Sequence, residues 1–124
     1  MAGRILIVDD SVSMRQMTSI ILKGAGYTVI EAVDGNDGLE KLDSTIDLVI
    51  TDYNMPNKNG IELIHDIRKG NVNKSVPILI LTTESEQSKK EQGKQAGATG
   101  WVTKPFDKTS LLQVIKKVTT NLEF

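Results

Sequence analysis

Short apolar runs recur along this 124-residue chain, and a segment with helical spacing follows each of them. Most runs are continuous in Ile, Val and Leu rather than alternating with polar residues, which is typical of strands covered on both faces. Five successive strand–helix units indicate an α/β fold with a parallel sheet and helices on both faces. The predicted strands are Arg4–Asp9, Tyr27–Ala32, Ile46–Asp52, Val76–Thr82 and Thr99–Thr103.

Apolar side chains at helical spacing mark four of the helices. In the first we expect Met14 and Met17 to fill the core, with Ile20 and Ile21 on the same stripe and a glycine-containing stop at residues 24–26. The second, third and fifth are marked by Leu39 and Leu42, by Ile61, Ile64 and Ile67, and by Leu111, Leu112, Ile115, Val118 and Leu122. Asp107 is the predicted N-cap of the fifth helix, which we expect to end near Asn121.

The fourth helical segment, Ser85–Gln95, differs because it has no apolar residue and contains an interior glycine. A helix that is polar on every side gains little from packing and is marginally stable. Two interpretations stay open: a solvated surface helix, or a mobile face that is repositioned at little cost.

Composition excludes several classes of function. The formal net charge is -1, whereas nucleic-acid-binding domains usually carry a basic excess. The chain has no cysteine, so it has no disulfide, thiolate metal site or thiol redox chemistry. The apolar run that follows Arg4 is too short for a signal peptide or a membrane span, and we therefore expect a cytoplasmic protein.

Polar residues stand where the predicted strands end. Asp9 and Asp10 close the first strand, Asp52 the third and Thr82 the fourth, while Lys104 follows the fifth. In open parallel sheets, ligands bind at this edge. Oxygen ligands favour a hard cation such as Mg²⁺, which also bridges to phosphate. These groups together indicate a phosphoryl-transfer centre with a carboxylate nucleophile, a metal ion, a lysine and a hydroxyl donor.

With these motifs the chain resembles the receiver domains of two-component response regulators over nearly its whole length. The likeness is carried by Ile-Leu-Ile-Val-Asp9-Asp10-Ser, Thr-Asp52-Tyr-Asn-Met-Pro-Asn-Lys-Asn-Gly60, Leu-Thr82-Thr and Lys104-Pro105-Phe106. It implies a flavodoxin-like sheet of order 2-1-3-4-5 with five helices, and a single receiver domain over residues 1–124.

The resemblance also implies a role for each matching residue. Asp52 would accept a phosphoryl group from a histidine kinase. Asp10, Asp52 and the backbone carbonyl of Asn54 would bind Mg²⁺, with Asp9 acting through a water of the metal. Lys104 would contact the phosphoryl group.

Further roles follow from the same resemblance. Thr82 would turn its hydroxyl to the phosphoryl oxygens, which Thr83 would also bind, and the side chain at position 101 would move into the vacated space. Asn54 and Glu84 would tune the lifetime of the acyl phosphate. The Lys104–Pro105 peptide bond would be cis.

One position departs from the family pattern. The switch position usually holds Tyr or Phe, but here it is Trp101, whose indole is bulkier and offers a single N–H donor. His65, the only histidine, lies off the apolar stripe of the third helix, and we expect it to be an exposed bystander.

The predicted function is a phosphorylation-dependent signalling switch, not an enzyme apart from Mg²⁺-dependent self-phosphorylation and self-dephosphorylation. With no output domain expected, its output would be binding through the face formed by the fourth helix, fifth strand and fifth helix. The pattern around Met14 and Arg15 resembles chemotaxis regulators that act on the flagellar motor, which predicts a histidine kinase and a motor-switch protein or phosphatase as partners.

Other readings compete with this one. A single-domain relay that passes phosphate to a histidine phosphotransferase is the close alternative. A Mg²⁺-dependent phosphatase would need a second acid at position 54, and a flavodoxin would need a hydroxyl-rich phosphate loop where this chain has acids. We expect no nucleic acid or membrane partner, and a monomer before phosphorylation.

Overall fold

The computed structural model describes residues 3–120, and within them five strands alternate with five helices. The strands are β1 (Arg4–Val8), β2 (Thr28–Ala32), β3 (Leu48–Thr51), β4 (Ile78–Thr82) and β5 (Gly100–Thr103). The helices are α1 (Val12–Gly24), α2 (Gly35–Lys41), α3 (Gly60–Lys69), α4 (Gln87–Ala96) and α5 (Lys108–Thr120). Asn121 and Leu122, predicted at the end of α5, lie outside the described residues.

The strands form one sheet in the order β2-β1-β3-β4-β5, and every neighbouring pair is parallel. This confirms the predicted fold class and the order implied by the resemblance. All five carboxyl ends therefore meet at one edge of the sheet. No helix within residues 3–120 is long and apolar enough to cross a membrane.

Two apolar cores lie on opposite faces of the sheet. One joins α2, α3 and α4 to the strands through side chains that include Leu63, Ile64, Ile67 and Ala96. The other joins α1 and α5 through Leu22, Leu111, Ile115 and Val118. The three central strands, β1, β3 and β4, are almost entirely buried because both faces are covered, and their sequences are therefore nearly continuous apolar runs.

The predicted strand ends were too long by one residue at the acids. β1 ends at Val8 and β3 at Thr51, so Asp9 and Asp52 lie directly after their strands rather than in them. The ladder nevertheless continues: the Asp9 N–H donates to Ala32 O at 3.1 Å, and the Asp52 N–H to Val8 O at 3.0 Å. The acids are thereby held in line with the sheet.

The prediction for the buried face of α1 was wrong for two of its residues. Met17 is 43% exposed and Ile20 is 71% exposed, while the helix buries Thr18, Ser19 and Leu22. Ile21 does pack against the core, and Met14 is half-buried. Large apolar side chains therefore did not identify the whole buried face, because part of it consists of small hydroxyl side chains.

The fourth helix is not polar on every side, because Gly93 and Ala96 are buried. A Cβ on Gly93 would come within 2.9 Å of Ile80 Cδ1 and 3.1 Å of Trp101 Cζ3, so the missing side chain lets α4 approach the sheet. At its C-terminal end, the Arg68 guanidinium donates to Gly97 O at 2.8 Å. At its N-terminal end, Glu86 makes no side-chain capping hydrogen bond, and this end is the less anchored of the two.

Candidate functional site

Three carboxylates meet at the carboxyl edge of the sheet. One oxygen each from Asp9, Asp10 and Asp52 lies within 4.8 Å of the other two. Asp9 is buried, Asp52 is half-buried and Asp10 is exposed, so the cluster opens to solvent on the side of Asp10. The structure thus brings together the acids that the sequence placed at separate strand ends.

Lys104 enters the same cluster from the end of β5. Its Nζ lies 3.2 Å from Asp9 Oδ2 and 3.9 Å from Asp52 Oδ2, and its side chain is only 8% exposed. The main chain holds it there, since the Lys104 N–H donates to Thr82 O at 2.7 Å. The ammonium is therefore positioned between two acids before any ligand binds.

The charges of the cluster do not balance. When all three carboxylates are ionised, a single ammonium leaves two negative charges uncompensated. Crowded carboxylates raise one another's pKa unless a cation neutralises them. A divalent cation with oxygen ligands would restore neutrality, and this donor set, which lacks nitrogen and sulfur, fits Mg²⁺.

Asp9 is the buried acid of the cluster. Burial raises the pKa of its carboxyl above the ordinary value of 3.8, and the charge on Asp52 raises it further. Hydrogen bonding from the Ser11 N–H and the charge on Lys104 oppose that rise without cancelling it. The charged form of Asp9 is thus less favourable in the native state than in the unfolded chain.

This raised pKa predicts how stability depends on pH. The native state binds the Asp9 proton more tightly than the unfolded chain, so this group lowers the free energy of unfolding as the pH rises from 3.8 through the raised native value. At neutral pH without divalent cations, we expect Asp9→Asn to raise the urea midpoint and to flatten this part of the pH profile. The exposed acid Glu40 provides the control, as Glu40→Gln. A midpoint for Asp9→Asn at or below that of the control would contradict the prediction.

Thr82 is the last residue of β4, and Trp101 lies in β5 with its indole against Gly93 of α4. Thr82 is fully buried, and its Oγ1 accepts a hydrogen bond from the Glu84 N–H at 3.3 Å. The indole Nε1 of Trp101 donates to Glu84 O at 3.1 Å. The two predicted switch residues therefore contact the same backbone segment.

The remaining predicted residues lie outside the cluster of acids. Asn54 and Thr83 have exposed side chains in the loops after β3 and β4. The Glu84 carboxylate pairs with Lys89 Nζ at 3.3 Å. Its pKa lies below the usual range, chiefly because it accepts the Glu86 N–H. The Lys104–Pro105 peptide bond is cis. His65 is exposed on α3, as expected.

Three residues that hold the site were not identified from the sequence. The Ser11 N–H donates to Asp9 Oδ1 at 2.9 Å, and Arg15 Nη1 donates to the Asp9 carbonyl at 2.7 Å. Arg15 also pairs with Glu31 on β2 at 3.0 Å. The Tyr53 N–H donates to Asp52 Oδ1 at 2.7 Å. Only proximity to Asp9 and Asp52 in the sequence pointed to them.

Comparison with known proteins identifies a family in which this site is found. The model of the response regulator receiver domain matches residues 5–116, which include all three acids and Lys104. The chain belongs to the response regulator receiver family. As a receiver domain it is a phospho-acceptor module of two-component signalling.

Several named relatives of this receiver domain are chemotaxis proteins. It is 38% identical over 117 residues to the chemotaxis protein CheY of Pseudomonas aeruginosa, covering 93% of this chain and 94% of that protein. It is 36% identical over 118 residues to the chemotaxis protein CheY1 of Helicobacter pylori, covering 93% and 95%.

The fold of this receiver domain is similar to solved structures of chemotaxis and CheY-like proteins. The chemotaxis protein CheY4 of Vibrio cholerae matches with a TM-score of 0.87 and 43% identity, covering 95% of this receiver domain and 99% of that chain. A CheY-like receiver domain protein from Methanospirillum hungatei matches with a TM-score of 0.90 at 28% identity, covering 99% and 98%.

Proposed function

We propose that this receiver domain takes a phosphoryl group from a histidine kinase onto Asp52 in a Mg²⁺-dependent reaction, and then binds a partner of the chemotaxis system. The observation that carries the proposal is the Lys104 ammonium, held 3.2 Å from Asp9 and 3.9 Å from Asp52 among three clustered acids. The site holds a nucleophile, a fixed cation and a set of hard oxygen ligands.

Asp52 supplies the nucleophile. Its Oδ1 accepts the Tyr53 N–H, while Oδ2 faces Lys104. We assign the attack on phosphorus to Oδ2, so that an Oδ2–P bond forms as the bond from phosphorus to the donor atom breaks. The leaving group keeps that electron pair and takes a proton. Lys104 then lies beside the added phosphoryl oxygens, where an ammonium forms charge-assisted hydrogen bonds.

Asp10, Asp52 and the backbone carbonyl of Asn54 would hold Mg²⁺, with Asp9 bonded to a water of the metal. When bound, the ion neutralises charge on the acids and on the transferring phosphoryl group. Asp9 is already engaged by Lys104 and by the Ser11 N–H, which suits an indirect role.

The proposed output is a change in the face formed by α4, β5 and α5. Thr82 would turn its hydroxyl from the Glu84 N–H to the phosphoryl oxygens, and Trp101, bonded to Glu84 O, would shift with that segment. Thr83 would donate to the phosphoryl group, and Asn54 and Glu84 would control the access of water to it. The names of the relatives CheY and CheY1 favour a chemotaxis role.

Incubation with acetyl phosphate tests the chemistry without a kinase. We expect intact-mass spectrometry to show one phosphoryl adduct in the presence of Mg²⁺ and none when EDTA removes the ion, because the uncompensated acids would repel the anionic donor. Treatment with hydroxylamine should release the adduct, as it does acyl phosphates. Absence of any Mg²⁺-dependent adduct would refute the proposal.

Assays with the phosphorylated protein also distinguish the chemotaxis function from the relay function. Affinity for a motor-switch peptide should rise by roughly 5–150-fold on phosphorylation, the usual range of coupling between two sites. Transfer of the phosphoryl group to a histidine phosphotransferase, without that gain, would indicate the relay function and overturn the chemotaxis assignment.

A further inference from the structure

We infer that Tyr53 couples the chemical state of Asp52 to the position of α4, which makes it a positioning residue for the output of the switch. This inference rests on the proposed phosphorylation of Asp52. It adds a route through the loop after β3 that does not involve Thr82.

One end of the route is a hydrogen bond to the phosphoryl acceptor. The backbone N–H of Tyr53 donates to Asp52 Oδ1 at 2.7 Å, while the other oxygen, Oδ2, lies 3.9 Å from Lys104 Nζ. A hydrogen bond to an ionised carboxylate is about twice as strong as one between neutral groups. Any change in the charge of Asp52 therefore changes the force on the Tyr53 backbone.

The other end is the Tyr53 side chain, which contacts α4 directly. Tyr53 is 8% exposed, and its hydroxyl donates to Gln92 Oε1 on α4 at 2.9 Å. Lys89, one helical turn earlier, places its Nζ 5.4 Å from the ring centroid. The contacts from Tyr53 thus reach two successive turns of the helix.

The same ring lies against the switch residue. The ring centroids of Tyr53 and Trp101 are 5.8 Å apart at an interplanar angle of 52°, a tilted aromatic contact. The indole fills the space beneath Gly93 of α4. Tyr53 therefore meets α4 and β5 at one point.

Phosphorylation would act on this chain of contacts in a defined way. Once Oδ2 is bonded to phosphorus, Oδ1 becomes the uncharged carbonyl oxygen of the acyl phosphate, whose negative charge lies on the phosphoryl oxygens, and it is a weaker acceptor for the Tyr53 N–H. Because the ring is buried, a shift of the backbone moves the hydroxyl and the ring together. The N-terminal end of α4 has no side-chain cap at Glu86, whereas Arg68 holds the residue after the other end, so we expect the N-terminal end to move more.

The test compares Tyr53→Phe with wild type in amide hydrogen exchange of α4, before and after treatment with acetyl phosphate and Mg²⁺. Loss of one hydrogen bond should speed exchange in the unphosphorylated helix by about fivefold. In wild type we expect phosphorylation to change the exchange rate of α4 and the fluorescence of Trp101. In Tyr53→Phe both changes, each divided by the measured fraction of phosphorylated Asp52, should be largely lost. A purely structural role would lower stability but leave the change per phosphorylated molecule intact.

Matched variants keep the test decisive. Gln92→Ala removes the acceptor from the α4 side and should reproduce Tyr53→Phe, and the double variant should add nothing. Tyr27→Phe and Gln95→Ala make the same changes at the other tyrosine and at an exposed α4 residue, and should respond like wild type. If phosphorylated Tyr53→Phe and Gln92→Ala respond like wild type, the inference is wrong. If wild type gains no phosphoryl group, the proposed function is wrong instead.

Discussion

Asp52→Asn should abolish the phosphoryl adduct formed with acetyl phosphate. The substitution replaces the carboxylate oxygen that faces Lys104 with an amide, which is not a nucleophile at neutral pH. It also removes a negative charge from a crowded cluster, so the variant should fold at least as stably as wild type. Intact-mass spectrometry measures the adduct. Urea denaturation tests whether the variant is still folded, so that loss of the adduct can be assigned to loss of the nucleophile.

Asp10→Asn is the matched variant for this experiment. Asp10 lies in the same cluster but is exposed, and its proposed role is to bind Mg²⁺ rather than to attack phosphorus. We expect a high Mg²⁺ concentration to restore the adduct in Asp10→Asn and not in Asp52→Asn. A phosphoryl group that persists on Asp52→Asn would place the acceptor elsewhere in the chain.

Gly60→Ala should be strongly destabilising, because the loop that carries Asp52 lies directly on the start of α3. A Cβ at Gly60 would fall 2.4 Å from the carbonyl oxygen of Asp52 and 3.2 Å from Tyr53 Cα. Backbone atoms cannot rotate out of the way, and the Gly60 N–H is also bonded to Tyr53 O at 2.9 Å. We expect a loss of about 3 kcal/mol in the free energy of unfolding, at the upper end of the usual range for overpacking.

To relieve the clash in Gly60→Ala, the backbone at Asp52 must move relative to Lys104. This displacement should also slow formation of the phosphoryl adduct. Gly24→Ala is the control, because nothing lies within 4 Å of a Cβ at this helical position. That variant should gain about 0.4–1 kcal/mol and phosphorylate normally. A free energy of unfolding for Gly60→Ala within about 0.5 kcal/mol of wild type, the usual range for surface substitutions, would contradict the clash.

The strands and the acids were predictable from the sequence for one physical reason. A parallel sheet buried on both faces requires continuous apolar runs, and its carboxyl ends share one edge. The run that ends at Thr51 therefore identified β3, and the acid that follows it identified the site. The same reasoning placed Asp9, Asp10 and Lys104.

The helices were less predictable, because a helix can be buried through small side chains as well as large ones. The methionine and isoleucine spacing in α1 suggested a buried face, yet Thr18 and Ser19 lie inside and Met17 outside. In α4 the buried residues include Gly93, which has no side chain and therefore leaves space for Trp101 and Ile80. The spacing of apolar residues in a sequence does not reveal a position that is buried because it has no side chain.

The fold class and the acids and lysine at the edge of the sheet followed from the residue pattern, and the strand order followed from the family resemblance. The orientation of those groups and the contacts they make are known from the tertiary structure. Arg15 reaches the Asp9 carbonyl from α1, and Tyr53 connects its neighbour Asp52 to Gln92 on α4 and Trp101 on β5. Contacts between residues far apart in the chain depend on the packing of helices on the sheet, which no local pattern specifies.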